Sequence, residues 1–155
     1  MEQTNTTNEA IEVITPINAA NAANAMIAEF ETGVPSFFCS FKAETVEEKA
    51  ALYNAMNAPD VQISDHIGQI INMRDIIVEA VDLPDEVGEI HTVPRCTIID
   101  IDGNSYGSTS IGIYNALRKI AGIFHKSHFE NGLPVRVKQL SLEGGRRTYT
   151  LNLAV

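Results

Sequence analysis

The chain reads as a mostly β fold with two helices, a small five-stranded barrel preceded by an arm. Three observations predict this. Alternating or β-branched runs recur near residues 37–42, 66–83, 96–102 and 135–153, each the length of a strand or a hairpin. Two segments, 46–57 and 111–124, repeat apolar residues at helical spacing. Only one helix joins consecutive strands over a crossover-like distance, which disfavours a parallel sheet and leaves a two-layer α+β sandwich as the competing architecture.

Residues 1–32 are rich in Asn, Ala and Thr, and the repeat NAANAANAM forms at most a marginal helix because Ala buries little surface. They are expected to be a flexible acidic arm, with the folded domain spanning 33–155. PSFFCSFK sets Phe37, Cys39 and Phe41 on one side and Phe38, Ser40 and Lys42 on the other, the first strand. Thr45 and Glu48 have the spacing of a capping box, and Val46, Ala50, Tyr53 and Met56 then recur as one helix face, closed by Pro59. HIGQIINMRDIIVEAVDL is long for a single strand and should bend or bulge near Met73 and Arg74. A loop or hairpin tip, PDEVGEIHTVPR, leads to CTIIDID as the third strand. A second helix follows over 111–124, with Ile113, Leu117, Ile120 and Phe124 on its core face. VRVKQLSLEGGRRTYTLNL closes the chain as a hairpin, with Gly144 and Gly145 at its tip. Five strands with a helix between the third and fourth is the order of an OB-fold, a Greek-key barrel that binds oligonucleotides.

Charge is distributed unevenly. The 155 residues carry a net charge of −9, yet 1–60 hold nine acids against two bases, 61–100 eight against two, and 101–155 three against seven. The last third is therefore a basic island in an acidic chain, suited to a phosphate backbone. No apolar run is long enough to span a membrane, and MEQTNTTNEAIEV lacks the basic start of a signal peptide. These features predict a protein of the cytoplasm. Cys39 and Cys96 belong to no CxxC pattern, and His66, His91, His125 and His128 fall into no tight ligand spacing. No metal, cofactor or enzymatic activity is expected, since GxSxG and paired catalytic groups are also missing from the sequence.

The stretch DIDGNSYGSTS invites two other readings. Asp100, Asp102 and Asn104 match the first ligands of a calcium loop, but Gly103 is out of place and Ile111 stands where the bidentate acid belongs. It also lacks the Gly-Lys-Ser/Thr ending of a phosphate-binding loop. A turn at Asp102-Gly103, followed by a helix capped by Ser108, Thr109 or Ser110, accounts for it.

Four segments carry a resemblance: FKAETVEEKAALYNAMNAPD, HIGQIINMRDIIVEAVDL, TIIDIDGNSYGSTSIGIYNALRKIAGIF and LPVRVKQLSLEGGRRTYTLNL. The chain resembles phage- and plasmid-encoded single-stranded DNA-binding proteins of Gram-positive bacteria from about Phe37 to Val155, most specifically in D-x-D-G-x-x-Y-x-x-x-S-x-G-[IV]-x-N-x-L at Asp100 to Leu117. Where relatives carry an aromatic loop before the fourth strand, this chain has HKSHFENGLP with Phe129. The resemblance implies binding of single-stranded DNA during phage or plasmid replication or transfer, in the bacterial host cytoplasm. Such binding needs cations along the phosphates and rings on which bases stack. Phe38, Tyr106 and Phe129 are the candidate rings. Lys42 shares the face of Phe38, Arg74 and Arg95 lie on the strands such barrels use for binding, and Lys138, Arg146 and Arg147 supply a basic hairpin. Self-association, through the acidic arm, is a further expectation. The alternative function is an acidic OB-type protein-interaction module, or a decoy that mimics DNA.

Overall fold

The computed structural model describes residues 24, 26–28, 31, 32 and 37–155. The expected arm thus lies mostly outside the described residues. Those of its residues that are described are helical and exposed, and Thr32 Oγ1 donates to the Ala28 carbonyl at 2.7 Å.

The domain is mixed α/β. Its elements are β1 (Phe38–Cys39), α1 (Val46–Asn57), β2 (Val61–Gln62), β3 (Ile70–Pro84), β4 (Ile90–Asp100), β5 (Ser105–Ser108), α2 (Ile111–Ile123), β6 (Leu133–Ser141) and β7 (Arg147–Leu153). Short 3₁₀ turns occupy Ile63–His66, Lys126–Phe129 and Glu143–Gly145. All seven strands form one sheet in the order β2-β5-β4-β3-β6-β7, with β1 added beside β3. Every pairing is antiparallel except β2 with β5.

The expectation of a closed five-stranded barrel needs correction. The hydrogen-bonded path ends at β2 on one side and β7 on the other, so the sheet is an open, curled half-barrel. The segment read as the first strand contributes only two ladder residues. CTIID is the end of an eleven-residue β4, and the strand that follows it in the chain is β5, whose sequence SYGS carries almost no apolar signal. β2 went unread for the same reason, being two residues long.

Curvature comes from β3. Its residues Ile71 and Met73 face the main core, and beyond the bend Ile76 and Val78 do so instead, an odd-to-even change of parity. Side chains alternate strictly along a strand, so an unbroken β3 would turn its second half inside out. A bulge between Met73 and Asp75 inserts one residue, Arg74, and restores the inward face. The first half of β3 then pairs with β6 and the second with β4, wrapping one sheet around one core.

α2 fills the open side. Ser110 caps it, accepting from the Ile113 amide at 3.4 Å; Ile113, Leu117 and Ile120 are buried as the periodicity predicted, joined by Tyr114 and Ala116, while Phe124 is partly buried at the C-cap. Each such aliphatic side chain contributes about 1.5–3 kcal/mol by leaving water. The helix approaches β7 so closely at Gly112 that a Cβ there would run into the Tyr149 carbonyl and lie 2.7 Å from Thr148 Oγ1.

α1 packs on the convex side of the sheet. The capping box is formed: Thr45 Oγ1 accepts from the Glu48 amide at 3.1 Å, and Glu48 Oε1 accepts from the Thr45 amide at 3.0 Å. Its buried face differs from the expected one. Val46 and Tyr53 are 76% and 63% exposed, whereas Ala55 is buried and Leu52 and Met56 pack beside it on a second, smaller cluster around Ile77 and Ile99. Weak apolar periodicity left the choice of face to the surface α1 lands on.

Gly112→Ala is expected to lower stability by about 1–3 kcal/mol, because the new methyl meets backbone, which has no rotamer to yield. Urea unfolding of the two chains checks this, with Gly122→Ala as the control, since nothing lies within 4 Å of a Cβ there.

Candidate nucleic-acid interface

The cations and rings singled out in the sequence occupy several environments. Arg74 is the extra residue of the β3 bulge and has no ladder partner. Its Nε donates to Asp75 Oδ2 at 2.8 Å, and its side chain remains 41% exposed. Asp75 is buried and held further by Ser40, whose hydroxyl donates to Oδ1 at 3.1 Å and accepts from the Ile76 amide at 2.9 Å. Arg74 and Lys126 border one cleft with Ser40 and Glu130, a neighbourhood that spacing could not reveal. Arg95 lies on the convex face of β4, directly across from Glu79, with Nε 3.5 Å from Oε2 and α1 beside it. Burial raises the Glu79 carboxyl against the opposing pull of Arg95. Lys42 is exposed, and Phe38, reaching inward from β1, is half-buried against the main core.

Tyr106 belongs to the turn that DIDGNSY builds. Asp100 Oδ1 accepts from the amides of Asp102 and Asn104, both at 2.9 Å. Its Oδ2 accepts from Asn104 Nδ2 at 3.2 Å and from the Tyr106 hydroxyl at 2.8 Å. Gly103 supplies φ of 90° at the tip, where a side chain would be strained. Asp100 is thus the hub of a turn. Burial alone would raise its carboxyl, but the bonds from Tyr106, Asn104 and Asp102 outweigh burial and hold it below its usual value of 3.8. The Tyr106 phenol is pushed up to about 12 by burial and by donating to that carboxylate. Its ring meets His66 edge-on at 5.6 Å and packs partly on the core. Beside it, Ser105 and Asp60 clamp β5 to the start of β2: the Ser105 amide and hydroxyl donate to Asp60 Oδ2 at 2.9 and 3.1 Å.

Phe129 packs into the main cluster, 9% exposed, and one side of it lines the cleft of Arg74 and Lys126. The 3₁₀ turn at Lys126–Phe129 folds it inward.

The β6–β7 hairpin carries four exposed cations, Arg136, Lys138, Arg146 and Arg147. Val135 and Val137 face the core, so Arg136 and Lys138 leave the convex side two residues apart. Arg136 was not among the candidates, although its i, i+2 relation to Lys138 places both on one face. Its Nη1 donates to the Gly68 carbonyl at 2.8 Å. Arg146 sits at the tip, donating from Nε to the Glu143 carbonyl at 3.2 Å, and Arg147 opposes Ser141. By ladder parity Arg147 leaves the opposite face from Lys138. The structure therefore unites Arg136 and Lys138 on one face, sets Arg146 and Arg147 beyond them at the hairpin end, and places Arg95 under α1.

The sequence model of one protein family, described as phage single-stranded DNA-binding protein, matches residues 32–154. The chain belongs to that family. Neither the curated proteins nor the solved structures contain a match to it. Within D-x-D-G-x-x-Y of this chain, Asp100, Gly103 and Tyr106 build the turn with their own side chains or backbone angle, and Asp102 adds its amide. No helix among the described residues is long and apolar enough to cross a membrane. Cys96 is wholly buried, its thiol pushed up to about 12, and burial likewise raises Cys39. One group that spacing did not suggest, Asp85, Glu89 and His91 at the β3–β4 tip, brings ligand-type atoms within 4.8 Å of one another, all exposed.

Asp100 carries a pH-dependent share of stability. Its folded value lies below its unfolded one, so the contribution is complete above 3.8 and is lost as pH falls through the folded value. Asp100→Asn should cost about 1–3 kcal/mol at neutral pH, with the deficit shrinking towards about pH 3. Urea titrations at both pH values measure this, and a deficit independent of pH would contradict the assignment.

Proposed function

We propose that this chain binds single-stranded DNA in phage replication, without strong sequence preference, along the exposed cations of the β6–β7 hairpin. The observation that carries the reading is the family match over residues 32–154. Physical chemistry supports the choice of surface. A strand read by its backbone needs positive charge laid along an exposed ridge, and α2, β6 and β7 all come from the only third of the chain with excess basic residues. Arg136 and Lys138 stand on one face of β6, and Arg146 and Arg147 add charge at the hairpin end, Arg147 from the opposite face. Arg74 and Lys126 form a second group of cations near the β3 bulge, and Lys42 is exposed on the segment after Ser40, which lines the same cleft. Phe38 and Tyr106 keep partial exposure and serve as the rings nearest to stacking positions. Arg95 has its charge met by Glu79 and takes the smallest part.

The path β5-β4-β3-β6-β7, with α2 between its third and fourth strands in chain order, supports an opened OB-type sheet as the scaffold. The place of action on this reading is the cytoplasm of the infected bacterial cell.

Replacing Arg146 and Arg147 together by Ala should weaken binding to an oligo(dT) probe and flatten the slope of log affinity against log salt by about 0.7 per lost phosphate contact. Fluorescence titrations of the intrinsic tyrosines at several salt concentrations measure both. Affinity and slope equal to the unaltered chain would remove the hairpin from the interface.

A further inference from the structure

The DNA surface proposed above makes no use of the β3–β4 ribbon. Six rungs, from Glu79↔Arg95 to Pro84↔Ile90, lie beyond the residues that pair with β1, β5 and β6, so this part of the hairpin stands clear of the sheet. From Glu79 to Pro94 it holds five carboxylates and no Lys or Arg, a charge that repels phosphates. Yet it is not simply a solvated loop. Val87 is 85% exposed and Ile90 61%, apolar side chains presented among acids. Its tip is also held in one shape. Asp85 Oδ1 accepts from the amides of Val87 and Glu89 at 3.0 and 2.9 Å, the Asp85 amide donates to the Glu89 carbonyl at 2.9 Å, and Thr92 donates to Asp82 at 2.6 Å. A pre-ordered surface loses less entropy on docking than a loose one.

The same chain carries a surface of the opposite kind. Between α2 and β7 runs a groove with Lys119 and Asn115 on one wall and Leu140, Thr148 and Thr150 on the other. Ile123, 76% exposed, and Leu140, 43% exposed, give it an apolar floor and rim beside the cation. Arg118 borders the adjoining hollow with Asn115 and Lys119.

We propose that the acidic ribbon tip of one copy docks into the groove between α2 and β7 of a second copy, Val87 and Ile90 meeting Ile123 and Leu140 while Glu86 and Glu89 face Lys119. Ribbon and groove are different surfaces, so the contact is head-to-tail and adds copies in a row. The ribbon lies apart from the hairpin cations assigned to DNA, whereas the far wall of the groove, Leu140, Thr148 and Thr150, shares the face of Lys138, so a docked ribbon borders the bound strand.

Sedimentation of the full chain without DNA tests this at low and high salt. The unaltered chain should self-associate with rising concentration at low salt and dissociate as salt screens the charges. Glu86→Lys with Glu89→Lys should abolish association while leaving affinity for a short oligo(dT) no weaker, because Asp85 still holds the tip. Lys119→Glu should abolish association on its own. Mixing the two altered chains restores opposite charges across the contact and should restore association. Circular dichroism and melting confirm that each altered chain is folded. A monomeric unaltered chain at all concentrations, altered chains that associate as before, or a mixture that stays monomeric would each overturn the proposal.

Discussion

One inserted residue governs the shape of this domain. β3 is too long to remain flat against a single core, and a strand that bends must keep its apolar side chains on the inside. The bulge at Arg74 reconciles the two demands by shifting parity between Met73 and Asp75. Everything else follows from the half-barrel it creates: a concave side lined by apolar residues of β3, β4, β6 and β7, an opening between its two edges, and a helix to fill that opening. α2 covers the opening with its apolar face, and its approach to β7 is so close that Gly112 leaves no space for a side chain. The bulge also places a guanidinium at the outside of the bend. There Asp75 and Ser40 hold it in a small polar network instead of leaving it to swing in solvent.

The most distinctive sequence in the chain turns out to organise the backbone. Asp100 spends both carboxylate oxygens on the turn after β4, and Tyr106 returns from β5 to complete the set. A charged acceptor of several hydrogen bonds at low exposure fixes a turn more firmly than backbone bonds alone, since removing it leaves donors with no partner. Asp60 does a similar job for Ser105 at the sheet edge. These two carboxylates explain why a four-residue strand holds its place in the sheet with only the Tyr106 ring packed on the core. A signature of this kind marks kinship well and says little about where DNA lies.

Charge divides the surface along lines the fold makes coherent. The chain segments rich in acids build α1 and the projecting β3–β4 ribbon, while the basic segments build α2 and the β6–β7 hairpin. A protein with a net charge of −9 can hold a polyanion because the cations are gathered locally on elements that neighbour one another, and screening limits the reach of the acids to about 8–10 Å at ordinary salt. The pairing of Arg95 with Glu79 shows the limit of counting bases in sequence: a cation opposite an acid on a neighbouring strand is no longer available at full strength to a phosphate.

Several features were determined by the sequence alone. The capping box at Thr45, the bend near Arg74, the buried face of α2 and the glycine-tipped final hairpin all follow from local rules of spacing, capping and alternation, which act between residues a few positions apart. The kinship with phage single-stranded DNA-binding proteins was legible for the same reason, most specifically in a contiguous motif from Asp100 to Leu117 that runs through the turn and β5 into α2. Tertiary structure decided the rest. Whether five strands close into a barrel depends on edges that meet across the whole domain, and SYGS becomes a strand only because β4 and Asp60 receive it. Phe129 is a core ring because a short turn folds it inward, and α1 buries Ala55 instead of Tyr53 because a weakly amphipathic helix takes its orientation from the surface beneath it. Long-range contacts fix such choices, and no local pattern encodes the partner that a side chain will meet.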